Sequence, residues 1–232
     1  MLTRKALLLL FVFSAICMAD EAAHQRPNPA RLAKEIAKFT DDDAKTPPEK
    51  GGIVFTGSSS IRLWGDLTKV FPGLPVMNRG FGGSVANDCI VYANEIALRY
   101  EPKLLVVYEG GNDINAKLTP AEAFADETKF IEMVHAKLPT TRVIVCSTKV
   151  APSRVKQIES VKQLNVLFEQ WCKEKPWTTF LEATQYLFGS DGQPLEELYR
   201  TDRLHLNDAG YAKWKEILDP VLHKVWAEAS GK

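Results

Sequence analysis

A serine, a glycine pair, a carboxamide and a histidine near a carboxylate fall in four short stretches of this 232-residue chain. The first is Gly57-Ser58-Ser59-Ser60, directly after the apolar run Ile53-Val54-Phe55. The second is Arg79-Gly80-Phe81-Gly82-Gly83-Ser84, and the third is Glu109-Gly110-Gly111-Asn112-Asp113. The fourth runs from Thr201 to Asp208 and carries Asp202 and His205 three residues apart. A serine hydroxyl becomes a nucleophile when an imidazole takes its proton and a carboxylate fixes the imidazole tautomer. Glycines let backbone N–H groups come close to a ligand, and with the Asn112 amide they are the parts of an oxyanion hole. Each part also has a plainer reading. The serines can cap a helix, Asp202 can pair with Arg200 or Arg203, and Gly82-Gly83 or Asn112-Asp113 can be ordinary turns. What favours the chemical reading is placement: each stretch follows an expected strand or precedes the last helix.

Five short apolar runs are expected as strands, at 52–56, 75–78, 104–108, 142–147 and 179–181. Helices are expected between them. A short amphipathic one covers 30–39, 60–70 is helical or irregular, and another runs from about Val85 to Arg99. Thr119-Pro120-Ala121-Glu122 reads as a capping box opening the next. A further helix spans about 154–173, and Asn207 caps a last one that Pro220 should kink or break. Strand–helix alternation without a repeat predicts one parallel five-stranded sheet covered on both faces, a three-layer α/β/α sandwich. Ligands of such sheets bind at the carboxyl ends of the strands, where all four stretches then gather. Residues 41–52 read as a loop whose three aspartates lack calcium-ligand spacing and form a solvated acidic turn. Glu109 is expected beside the site, against a polar substrate or paired with an arginine such as Arg79. Trp64, Tyr108 and Trp177 read as core residues rather than sugar-stacking ones.

The four stretches in this order resemble the SGNH (GDSL-type) hydrolase family, over roughly residues 51–215. Gly110 to Asp113 matches its GxND block and Asp202 to His205 its DxxH block. The glycine stretch is similar to that of the platelet-activating-factor acetylhydrolase-like branch. The resemblance implies a flavodoxin-like fold and ester hydrolysis without metal or cofactor. It implies Ser59 as nucleophile, His205 as general base and Asp202 as its orienting carboxylate. The oxyanion donors would be the N–H of Ser59, the N–H of Gly83 (or Gly82, one residue away) and the side chain of Asn112. One block departs from the pattern: Ser58 stands where the family usually has aspartate, so that residue's hydrogen bonds must be replaced. The substrate this implies is a short-chain ester, acetyl first, on a small molecule or a carbohydrate. Rival readings are a lipid-directed esterase or lysophospholipase, and a catalytically inactive carbohydrate-binding protein on the same fold.

Composition sets outer bounds. Basic and acidic residues balance at 29 each, so no basic field points to nucleic acid. No His, Cys or carboxylate cluster has metal-ligand spacing. Arg4 and Lys5, the apolar run Ala6 to Ile16 and small residues up to Ala19 read as a signal peptide, residues 1–19. That run is too short for a membrane span. The expected location is secreted or periplasmic, with a lipoprotein anchor at Cys17 as the competing reading. Residues 20–50 form an entry segment with the short helix, and 51–228 form the hydrolase domain. Cys89, Cys146 and Cys172 allow at most one disulfide.

Overall fold

The computed structural model describes residues 24–231. The leader expected at residues 1–19 lies outside them. Five strands, β1 (Ile53–Gly57), β2 (Val76–Gly80), β3 (Leu104–Tyr108), β4 (Arg142–Cys146) and β5 (Thr178–Leu181), form one sheet in the order β2-β1-β3-β4-β5. Every pairing is parallel. Helices fill the connections: α1 (Ala33–Lys45), α2 (Ser59–Arg62), α3 (Leu67–Val70), α4 (Ala86–Val91), α5 (Ala93–Ile96), α6 (Gly111–Asn115), α7 (Pro120–Lys137), α8 (Ile158–Glu174) and α9 (Asp208–Ser230). The sheet is thus the middle layer of an α/β/α sandwich, as the alternation required.

β3 shows why. All five residues of Leu-Leu-Val-Val-Tyr are buried, because both faces of a parallel strand are covered. Leu105 and Val107 face the core with Phe130, Ile131 and Phe168. Leu104, Val106 and Tyr108 face the opposite one with Phe55, Phe71, Trp214 and Leu222. The chain passes from β1 first to β2 on one side and then to β3 on the other. The loops leaving β1 and β3 therefore diverge, opening a crevice at their carboxyl ends.

Several expectations are corrected. α1 runs on to Lys45, so Asp41, Asp42 and Asp43 are helical and not a loop. Asp43 is buried, pairing with Arg79 at 2.6 Å and accepting from the Tyr100 hydroxyl at 2.7 Å. The helix expected over 85–99 is broken into α4, α5 and a 3-10 turn at Leu98–Tyr100. The helix expected from 154 begins as a 3-10 turn, Pro152–Gln157, before α8. α9 continues through Pro220 as one helix. Leu32, in the 3-10 turn Pro29–Leu32 before α1, and Ile36 of α1 pack into the same core as Leu105 and Val107. Among the described residues no helix is long and apolar enough to cross a membrane.

Candidate active site

The turn that carries Ser59 begins at Gly57, whose φ of 133° belongs to glycine and whose missing Cβ would sit 2.0 Å from the Tyr108 carbonyl oxygen. This close approach turns the chain sharply off β1 into α2. Ser58 and Ser60 are buried, while Ser59, the first residue of α2, is half-exposed. Asn78 on β2 supports the turn: its Nδ2 donates to the Ile61 carbonyl at 2.8 Å and its Oδ1 accepts from the Gly80 N–H. Trp64, just beyond α2, stacks on Tyr211 at 5.5 Å and packs against Phe55, Phe71 and Trp214. Tyr211, on α9, also donates its hydroxyl to the Ser60 carbonyl at 2.9 Å. The Ser58 side chain caps nothing in α2; its carbonyl accepts from Ile61 and Arg62 N–H groups.

His205 comes to this serine from 146 residues away. Its Nε2 lies 2.9 Å from the Ser59 hydroxyl, and its Nδ1 lies 2.7 Å from Asp202 Oδ2. Arg203 takes a left-handed φ of 56° between the two, closing a turn in which Asp202 Oδ1 accepts from the Leu204 and His205 N–H groups at 2.9 and 3.0 Å. These hydrogen bonds, that from the His205 side chain first, hold the Asp202 carboxyl well below the usual carboxylate range. The arginine alternatives are filled elsewhere: Arg203 pairs with Glu196 and Arg200 donates to the Leu206 carbonyl.

The glycine stretch and the β3 loop close the other side. Asn112 Nδ2 donates to the Ser84 carbonyl at 2.9 Å. Asp113 ties the same loops together, accepting from Ala86 N–H at 2.9 Å and Gly110 N–H at 3.2 Å. Gly82 donates its N–H to Glu35 Oε1 at 2.9 Å, which occupies the alternative backbone donor. Gly83, with φ of 72°, keeps its N–H free of partners among the described residues, and so does Ser59. A cavity of about 20 Å³ lies against Ser59, Asn112 and His205, walled by Tyr108, Lys149 and Arg154.

Two side chains of that wall escaped the sequence reading. Lys149 is buried, donates to the Leu204 carbonyl at 2.8 Å, and has its pKa pushed down to about 7, chiefly by burial. Arg154 Nη1 donates to the Gly111 carbonyl at 2.9 Å and to Asn112 Oδ1 at 3.1 Å. Both follow β4, in a stretch without glycine or histidine to mark it as part of a site. Conversely, Glu109 is neither a substrate contact nor the partner of Arg79. It is buried, takes the Ser84 hydroxyl as its partner, and is forced well above the ordinary carboxyl range, first by burial and then by Asp113. Burial at that depth penalises the charged form, and the side chain serves the inside of the loop through Ser84. Trp64, Tyr108 and Trp177 are packing residues, Trp177 lying flat on His135 at 3.7 Å. All three described cysteines are free and buried.

Solved structures with this fold are distant in sequence. A Streptococcus pneumonia protein provisionally named a platelet activating factor superimposes with a TM-score of 0.73 at 22% identity, covering 83% of this chain and 95% of its own. A GDSL-like lipase from Bacteroides thetaiotaomicron gives 0.68 at 21% identity, covering 85% and 98%. A carbohydrate esterase family 3 protein from Talaromyces cellulolyticus gives 0.59 at 14% identity, covering 75% and 97%. No curated protein sequence matches the chain. The profile of the GDSL-like Lipase/Acylhydrolase family matches residues 51–213, most of the chain, and with the sheet order and crevice described above it makes this protein a member of that family, a hydrolase of esters.

Proposed function

We propose that this hydrolase is a serine esterase of short acyl chains, acetyl first, working through Ser59, His205 and Asp202. Ser59 Oγ attacks the ester carbonyl carbon while His205 Nε2 takes its proton. Asp202 keeps the imidazole in the tautomer that presents a bare Nε2, and stabilises the imidazolium that forms. The carbonyl oxygen, now negative, is held by the N–H groups of Ser59 and Gly83 and by Asn112 Nδ2. The imidazolium returns the proton to the departing alcohol. Water, deprotonated by His205, then releases the acid from Ser59. The observation that carries this reading is the unbroken relay of 2.9 Å and 2.7 Å from Ser59 through His205 to Asp202.

The small cavity supports an acetyl-sized acyl group, since about 20 Å³ admits little more than one water-sized group. A longer chain would have to enter the neighbouring groove of about 450 Å³, which shares Val150 and Val161 with the cavity and includes Phe188 and Val166. That groove is the one observation favouring a lipid-directed esterase. Nitrophenyl acetate, butyrate and octanoate separate the two: kcat/KM falling with chain length is expected, and a rise overturns the acetyl preference. Ser59→Ala is expected to abolish labelling by a fluorophosphonate and hydrolysis of nitrophenyl acetate. A variant that still labels and hydrolyses removes Ser59 from the mechanism, and a wild type that does neither favours a binding protein on this fold. Export is part of the proposal, on the leader-like residues 1–19. An exported protein beginning at Asp20 is the expected finding, and a cytoplasmic chain retaining Met1 refutes it.

A further inference from the structure

The segment after β4 carries none of the four motif stretches, yet it grips two of the loops around the site, the one after β3 and the one before α9. Thr148 Oγ1 donates to the Glu109 carbonyl at 2.8 Å, Lys149 Nζ to the Leu204 carbonyl, and Arg154 to Gly111 and Asn112. Arg154 stands out because its charge is not spent on a carboxylate. Among the described residues it is in no ion pair, and its partners are two neutral oxygens. It lies on the cavity wall with the nucleophile, half-buried.

A carboxamide has two orientations that differ only in the exchange of oxygen and nitrogen. Here both neighbours of Asn112 enforce the same one. The guanidinium is donor-only, so it demands Oδ1, and the Ser84 carbonyl is acceptor-only, so it demands Nδ2. The flipped amide would set N–H against N–H and oxygen against oxygen. In the enforced orientation one Nδ2 hydrogen goes to Ser84 and the second is left over. A hydrogen bond from a cation also polarises the amide, making that second hydrogen a stronger donor to a negative oxygen.

Resting on the esterase reading above, we propose that Arg154 is a positioning residue for the oxyanion hole, holding Asn112 Nδ2 toward the ester and strengthening it as a donor. The negative oxygen exists only after attack begins, so the loss of Arg154 acts on kcat and not on KM. A charge-assisted hydrogen bond sets the scale, on the order of 10–100-fold in kcat.

The test is a double-mutant cycle on nitrophenyl acetate with Arg154→Met, Asn112→Ala and the pair. Arg154→Met alone is expected to lose roughly 10–100-fold in kcat with KM within about twofold. On the Asn112→Ala background it is expected to lose about twofold or less, because nothing remains for it to orient. Arg154→Lys keeps charge and reach and is expected to recover part of the loss, and added methylguanidinium to rescue Arg154→Ala only while Asn112 is present. Equal losses on both backgrounds overturn the proposal and leave a general structural role. A raised KM with unchanged kcat also overturns it, in favour of direct substrate binding. An additive cycle in a wild type that labels at Ser59 sinks Arg154 alone, whereas a wild type inert to the probe removes the esterase reading and this proposal with it.

Discussion

Asp202→Asn is the perturbation that tests the relay most sharply, because it keeps shape and changes one proton. In the native loop Oδ1 accepts two backbone N–H groups and Oδ2 accepts His205 Nδ1. An asparagine that keeps its oxygen on the backbone side turns its NH2 toward Nδ1. The imidazole must then accept there and carry its hydrogen on Nε2, where it points at Ser59 and cannot act as a base. The alternative flip restores the tautomer but gives up both backbone hydrogen bonds, about 1 kcal/mol each. That leaves the competent form in roughly one molecule in thirty. The variant also loses the carboxylate that offsets the imidazolium. With charges roughly 4 Å apart and an effective dielectric of about 20–80, appropriate where the Asp202 side chain is 48% exposed, that is about 1–4 kcal/mol. Together the losses come to on the order of 10²–10⁴ in kcat, with little change in KM. Steady-state hydrolysis of nitrophenyl acetate measures it, with thermal melting as a check on folding. A folded variant that loses less than about threefold refutes the relay as the source of activity.

Two more perturbations probe what surrounds the relay. Gly57→Ala places a Cβ 2.0 Å from the Tyr108 carbonyl oxygen at a φ of 133°, so both the turn and β3 must shift. A loss of stability of about 2 kcal/mol or more and of most activity is expected; a melting temperature unchanged from wild type would show that the turn is not tightly held. Asp113 has its carboxyl pushed up to about 7 by burial, from an ordinary value near 4. Below about pH 4 both folded and unfolded chains bind this proton, and between about 4 and 7 only the folded chain does. Stability contributed by the group therefore falls as pH rises through that interval, by at most about 4 kcal/mol. Urea midpoints at pH 5 and pH 8 should differ less in Asp113→Asn than in wild type, and an identical pH dependence contradicts the assignment.

How much of this was legible in sequence depended on whether the signal was local. β3 falls where expected because a strand buried on both faces is a continuous apolar run, and nothing else in the chain competes with it. The capping box at Thr119 and Glu122 and the Asn207 cap are equally local, each a side chain bonded three residues away. Asp202 and His205 likewise advertise themselves by spacing. The failures are long-range pairings. Asp43 looks like one of three solvated acids until Arg79, from β2, and Tyr100 reach it. Lys149 and Arg154 carry no signal of their place in the sequence, because no local pattern says that a cation is buried. Glu109 was misplaced for the same reason: its depth is set by Ser84, Cys89 and the loop around them, 20 and more residues away.

The hydroxyl of Tyr211 on the Ser60 carbonyl, together with Trp64 against Tyr211 and Trp214, fastens the turn that carries Ser59 to the last helix of the chain. During synthesis the serine emerges long before that helix, and the histidine that would arm it emerges immediately before. The growing polypeptide thus carries a hydroxyl with no base and a turn with no clasp until nearly all of it has left the ribosome. On the proposed chemistry, reactivity would arrive with the docking of the carboxyl-terminal helix. The same geometry makes that helix the natural place to disarm the enzyme: a chain cut before Asp208 keeps every reactive group and loses the clasp that holds them in register.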